Sequence, residues 1–410
     1  MMIQIAGIIM GFLSIYLVAG DMGPETYSLV GVYGVVFGII LPFSHLGVET
    51  TMMREALYWI ENGEIEKVKE YTTQSILSRL IGFVVLLPII VAYLLYLFFT
   101  KYNCQYLLVL LSFYIGACGS ALNDSMSLIV RSHGNFVFSQ ATKTINNTAV
   151  KIIAIFVYLR FGVTPYLLMY SILPWPLFLI FVFKLRKYID FRYFHIKSTF
   201  TKIKESRNLW LKSYLDYFSK SADNLLVSIL FPSSIMGLYA LYRNMEGIAV
   251  NFIEGFFDVI LQKFVQFKGN VKKLTSMERK VSLIRWGVIL LVLLFTFIFA
   301  LNSSFVVDML NLSKYEGVVY SIFNVSLVAI LYLVGKNEIN IVALMGPSRT
   351  LLKLGFILLT LSLLSYFSVI FMRSIYGVYL QRAIIYSSTS LFAIILLHKN
   401  RLRYYSNLYQ

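Results

Sequence analysis

Apolar runs of about 20 residues, separated by short polar connections, dominate this chain. A run of that length is what an α-helix needs to cross the hydrocarbon core of a bilayer. Twelve runs can be placed, at 3–20, 26–49, 74–99, 104–130, 137–160, 163–184, 209–231, 234–256, 283–301, 316–335, 352–372 and 376–397. The pattern predicts an all-α polytopic membrane protein with about twelve transmembrane helices. Prolines 42, 88, 174 and 176 fall inside runs and predict kinks, with Pro42 the candidate hinge.

The connections alternate in charge. Those after runs two, four, six, eight and ten, with the tail, hold most of the Lys and Arg. The sixth carries Lys184, Arg186, Lys187, Arg192, Lys197, Lys202, Lys204 and Arg207; the eighth carries Lys263, Lys268, Lys272, Lys273, Arg279 and Lys280. The other connections hold isolated basic residues such as Lys101, Arg160, Lys314 and Arg373. The positive-inside rule then puts both termini in the cytoplasm. The same distribution explains the formal charge of +16 without nucleic acid. The first run has no basic residues ahead of it and is expected to be a retained membrane helix, not a cleaved signal. Cys104 and Cys118 provide no disulfide framework or metal-ligand spacing.

The two halves repeat. Pro24-Glu25-Thr26-Tyr27 opens run two, and Pro232-Ser233-Ser234 through Tyr239 opens run eight. Gly63-Glu64-Ile65 follows run two as Gly269-Asn270-Val271 follows run eight, and Arg131-Ser132-His133-Gly134 is matched by Met345-Gly346-Pro347-Ser348-Arg349. The offsets all lie near 210 residues. Six runs per half put both copies the same way up, a parallel repeat about an axis along the membrane normal. The expected organisation is a six-helix bundle at 1–184, a basic cytoplasmic linker at 185–208, and a second bundle with a basic tail at 209–410.

Charge at depth is concentrated in runs seven and eight. Asp216, Lys220 and Asp223, at spacings of four and three, would share one helix face, and Arg243, Glu246, Glu254 and Asp258 recur along the next helix. Counted from the turn at Phe231-Pro232-Ser233-Ser234, Lys220 and Arg243 lie at similar depth. Each central charge left in lipid costs roughly 3 kcal/mol, so Lys220, Asp223, Arg243 and Glu246 must face protein or a wet cavity. Two compatible arrangements follow. One is a structural ion-pair network, with Asp216–Lys220 and Arg243–Glu246 closing within single helices. The other is a partly cationic cavity for an anionic substrate. In the first half, Lys143, Asn147 and Lys151 form a stripe at spacing four on run five, Asn123 and Asp124 lie in the inner half of run four, and Arg79 lies near the inner end of run three; pairing of a carboxylate with two amines on adjacent helices is expected there.

Three stretches carry a family resemblance: Gly23-Pro24-Glu25-Thr26-Tyr27, Leu46-Gly47-Val48-Glu49 with Arg54, and Ser221-Ala222-Asp223-Asn224-Leu225-Leu226 with Met236-Gly237-Leu238-Tyr239-Ala240. In their order and spacing the chain resembles the oligosaccharide flippases (Wzx type) of the multidrug/oligosaccharidyl-lipid/polysaccharide exporter superfamily. The resemblance implies a V-shaped, MATE-like pair of bundles around a central cavity lined by runs one, two, seven and eight. It implies outward translocation of an undecaprenyl-diphosphate-linked oligosaccharide across the bacterial inner membrane, with cavity cations mapping onto Lys220 and Arg243. Runs one and two carry no deep basic residue, a departure that leaves the diphosphate to the second half.

On chemistry, Lys220 and Arg243 suit a diphosphate, because charge-assisted hydrogen bonds strengthen away from bulk water. Tyr214, Tyr217, Tyr239, Tyr242 and Asn224 are candidate sugar partners. Asp223, Glu246 and Asp216 are candidates for coupling to protons or sodium, since a buried carboxylate can hold a proton more tightly. No other cofactor is expected. Besides membrane lipid, a polysaccharide polymerase and a chain-length regulator are candidate partners. The main alternative is a cation-coupled multidrug exporter of the same fold, which the basic pair disfavours. A polymerase or ligase fits less well: no outer connection is long enough for a domain, and no carboxylate or histidine constellation lies on that side.

Overall fold

Helices account for nearly every described residue of the computed structural model, which describes residues 9–132, 150, 152–266, 271–345 and 348–405; no strand occurs among them. Among the described residues eight helices are long and apolar enough to cross a membrane: Ile9–Ser44, Ile65–Lys101, Cys104–Val130, Val163–Tyr188, Val271–Leu301, Val318–Ile339, Leu352–Met372 and Ile375–Asn400. Ile9–Ser44 holds most of the first two expected runs. Gly23, at φ 74° and ψ 168°, breaks it in a region that only glycine enters freely, and Pro24 starts the returning helix. The two arms pack together, with Val18 beside Leu29 and Val32 in one core. Pro42 and Pro88 lie within continuous helix, whereas Pro174 opens a new helix after Leu173.

Runs seven and eight are helical but fall short of that measure. Most of run five, with Lys143, Asn147 and Lys151, lies outside the described residues, and Ile152–Phe161 is its apolar remainder. Run eight is one helix, Ser233–Gln266, whose charges lower its hydropathy. Run seven departs from the expected single helix. It is two, Arg207–Lys220 and Ala222–Leu230, broken at Ser221 with φ −135°. Asp216 and Asp223 therefore do not share a face.

Arg79, on Ile65–Lys101, and Arg285, on Val271–Leu301, are separated by the offset that relates Gly63 to Gly269. Arg79 reaches Glu49 at 2.8 Å and Ser125 at 2.6 Å, and donates to the Leu41 carbonyl at 2.7 Å. Arg285 reaches Glu338 at 2.7 Å and donates to the Val334 carbonyl at 2.8 Å. Each arginine ties its helix to a neighbour in its own half. Removing one partner of the buried Arg79–Glu49 pair would cost about 3–5 kcal/mol.

The halves meet where Gly20–Ser44 packs along Ser233–Gln266. Gly31 lies against Met236 and Ala240, and a Cβ at Gly237 would overlap the Pro24 carbonyl. At the end remote from the basic connections, Lys101 donates to the carbonyls of Ser228, Ile229 (3.2 Å) and Phe231 (2.6 Å), taking up acceptors that the end of Ala222–Leu230 leaves open. Lys314 donates to the Asp21 carbonyl at 3.0 Å and Tyr315 to the Ala19 carbonyl at 2.8 Å. At the basic end, Ser206 and Ser213 bond Thr51 at 2.8 Å and His45 at 2.9 Å. Large apolar side chains such as Val84, Phe99, Leu283 and Phe371 are exposed, as a lipid-facing perimeter requires.

Candidate functional site

The break at Ser221 sets the geometry of the site. It places Asp223 in the first turn of Ala222–Leu230, where open backbone N–H groups and the helix dipole favour a carboxylate. The Asn224 N–H donates to Asp223 Oδ1 at 3.0 Å. Ser233–Gln266 brings Tyr239, whose hydroxyl donates to Asp223 Oδ2 at 2.6 Å. Three residues on from Arg243 the same helix carries Glu246, and Arg243 Nη1 donates to Glu246 Oε2 at 2.6 Å.

Arg382, on Ile375–Tyr405, closes the cluster. Its Nη1 reaches Asp223 Oδ2 at 3.3 Å, and its Nη2 donates to Glu246 Oε1. Nη2 also donates to the Tyr386 hydroxyl at 3.0 Å, and that hydroxyl donates to Glu246 Oε1 at 2.7 Å. Two guanidinium groups and two carboxylates from three helices are thus joined with no net charge. The carbonyls freed by the break at Ser221 are taken up by a neighbouring helix: Phe218 accepts from the Tyr366 hydroxyl at 2.8 Å and Ser219 from the Ser362 hydroxyl at 3.0 Å.

Exposure is uneven across the cluster. Arg243 keeps 27% of its side chain exposed, against 3% for Glu246, 2% for Arg382 and 0% for Asp223. The carboxylates are covered by their partners, so the face the cluster offers outward is a guanidinium.

The other sequence candidates are distributed differently. Tyr239 and Tyr242 are both fully buried, stacked with centroids 5.8 Å apart. Asn224 is half-buried beside Asp223. Asp216 stands apart, paired with Lys212 at 3.9 Å and 40% exposed. Tyr214 stacks on Phe43 across the seam between the halves. The side chains of Lys220, Glu254 and Asp258 lie outside the described ones. Sequence reasoning misses Arg382 and Tyr386. The available signal is an arginine inside an otherwise apolar run, which marks a buried partner somewhere else in the fold.

No protein-family model matches the chain, and no curated protein is matched by its sequence. Solved structures do match its fold. A multidrug resistance MATE family transporter of the MOP superfamily, in its inward-facing conformation, superposes with a TM-score of 0.66 at 15% identity, covering 97% of this chain and 94% of that one. An outward-facing conformation of a multidrug resistance MATE family transporter of the same superfamily gives 0.61 at 17% identity, covering 100% and 94%. A MOP superfamily transporter from Pyrococcus furiosus, described as having a binding pocket of reverse polarity that suggests a different function, gives 0.57 at 15% identity, covering 98% and 94%. The chain therefore has the fold of the MATE transporters, over nearly its whole length, and is a multi-pass membrane protein.

Proposed function

We propose that this protein is a flippase that moves an undecaprenyl-diphosphate-linked oligosaccharide from the inner to the outer leaflet of a bacterial cytoplasmic membrane. One observation carries the proposal: within the buried cluster of the second half the carboxylates are covered and Arg243 is the member left partly exposed. An organic cation would meet the wrong charge there, whereas a diphosphate would meet a guanidinium suited to bidentate contact. The transporter fold supplies two similar halves whose relative motion can expose a site to each side in turn. With the basic connections in the cytoplasm, the end tied by Lys101, Lys314 and Tyr315 faces the periplasm. The headgroup would enter from the cytoplasmic side while the polyprenyl tail stays in lipid. Coupling to protons or sodium through Glu246 would require the ion to displace one of its two arginine partners.

A second reading, a cation-coupled multidrug exporter, is favoured by one observation, the superposition on multidrug resistance transporters. One experiment separates the two. Deleting the gene should leave lipid-linked repeat units made but confined to the inner leaflet, and purified protein in liposomes should move such a lipid between leaflets under an ion gradient. A deletion that leaves the repeat units exposed outside but unjoined points to a polymerase. Loss of resistance to ethidium with normal polysaccharide points to the exporter.

A further inference from the structure

We infer that the linker between the two halves is a foot lying in the lipid headgroup layer at the basic end of the molecule, where it gathers acidic phospholipid. That role is independent of which substrate the protein carries. The linker runs from Lys184 to Arg207 and holds eight basic residues against two carboxylates, Asp190 and Glu205. It forms two short turns, Arg186–Tyr188 and Phe191–Tyr193, and one helix, Ile196–Glu205.

Contacts to the start of Ile65–Lys101 fix its depth. Gln74 Nε2 donates to Ser198 Oγ at 2.7 Å, the Asp190 N–H donates to Thr73 Oγ1 at 3.0 Å, and Lys202 meets Glu70 at 3.7 Å. Farther along the same helix, Leu80, Val84 and Val85 are exposed on the lipid-facing perimeter. From Gln74 to Leu80 is about 9 Å along the axis. Headgroups extend about 5–7 Å beyond the hydrocarbon core on each side, so the linker lies at their level.

Ile196–Glu205 turns different chemistry in different directions. Thr199 is fully buried, and Ser198 and Lys202 face the protein through the contacts just given. Ile196 and Phe200, four apart, share another face and are 61% and 56% exposed. Lys197 and Lys204, seven apart, are exposed on the flank of that face. Ahead of the helix Phe191 is 81% exposed, and Arg186 stands 4.5 Å over the ring of Phe183, itself exposed. Open aromatic surface of this kind marks a contact with membrane or protein. An apolar row flanked by lysines, on a helix at headgroup depth, is the layout of a segment lying flat in a membrane interface. Acidic headgroups supply the counter-charge, and each basic side chain near the surface adds to the attraction. A soluble protein would have to displace headgroups to reach the same side chains.

The test uses the full-length protein with Cys104→Ser and Cys118→Ser, one copy per nanodisc, in phosphatidylcholine with about one quarter phosphatidylglycerol. A single cysteine, Phe200→Cys or Thr201→Cys, carries an NBD fluorophore; Thr201 is the exposed neighbour turned away from Ile196. Lipid spin-labelled near the headgroup should quench the probe at 200 about threefold more than the probe at 201. At low salt, spin-labelled phosphatidylglycerol should quench the probe at 200 about twofold more than the same amount of spin-labelled phosphatidylcholine. Lys197→Gln with Lys204→Gln should shrink that preference, and so should about 1 M salt, which screens charges beyond about 3 Å. Equal quenching at 200 and 201 overturns the proposal, because the apolar face is then not in lipid. A probe at 200 that is shielded from aqueous iodide yet not quenched by lipid overturns it too, and assigns the face to a contact within the protein. Equal quenching by the two lipids, or a preference that survives loss of both lysines, removes the acidic-lipid role. A trace of undecaprenyl diphosphate that abolishes the preference gives the site to an isoprenoid diphosphate and likewise overturns the proposal.

Discussion

Replacing Arg382 by methionine removes a guanidinium while filling much of its space. The consequence can be worked out contact by contact. Glu246 keeps Arg243 at 2.6 Å and Tyr386 at 2.7 Å, so one full cation remains to it. Asp223 keeps the Tyr239 hydroxyl at 2.6 Å and the Asn224 N–H at 3.0 Å but loses its cation. The expected loss of stability is about 3–5 kcal/mol, the cost of stranding one buried charge, and it falls on Asp223. Converting the stranded carboxylate to an amide should then recover much of it. Arg382→Met with Asp223→Asn leaves one cation and one anion, Arg243 and Glu246, still paired. A double-mutant cycle should show a coupling of about 2–3 kcal/mol between the two positions. Equilibrium unfolding in mixed micelles, with SDS as the denaturant, measures all four proteins. Additivity to within about 0.5 kcal/mol would refute the reasoning, because residues that share an ion pair cannot behave as independent sites.

Arg243→Ala should behave differently: Glu246 retains Arg382 and Tyr386, so the protein should reach the membrane at near-normal levels yet export no polysaccharide, read by immunoblot and by surface labelling of polymer. Disappearance of Arg243→Ala from the membrane would assign that arginine to the fold. Lys220→Ala is expected to show the same split between normal level and lost export. Gly237→Ala sets a Cβ against the Pro24 carbonyl and should hold the halves apart at that end, raising the reactivity of a cysteine introduced at Glu25 toward an impermeant thiol reagent. Unchanged reactivity would mean the contact does not hold that end shut. Reporter fusions after Lys204 and after Lys273 should report cytoplasm and one near Lys314 periplasm; an external signal at Lys204 would invert the topology.

Local interactions make much of this protein legible in its amino-acid order. Bilayer thickness converts directly into run length, so the membrane helices follow from apolar stretches alone. The repeat shows as an offset in the sequence, and Arg79 and Arg285 stand at that same offset. Arg243 and Glu246, three apart, pair within one helix, as spacing alone predicts. Contacts that cross the chain are not legible in this way. Asp223 and Arg382 are 159 residues apart, and no periodicity joins them. The break at Ser221 is equally non-local: a continuous helix would have kept Asp223 in line with Asp216, and the carbonyls that the break frees are taken up by Ser362 and Tyr366 of a distant helix. Helix existence thus rests on transfer of the local chain from water to lipid, which sequence encodes directly. Which buried charges meet depends on how distant helices pack, and only the tertiary structure decides it.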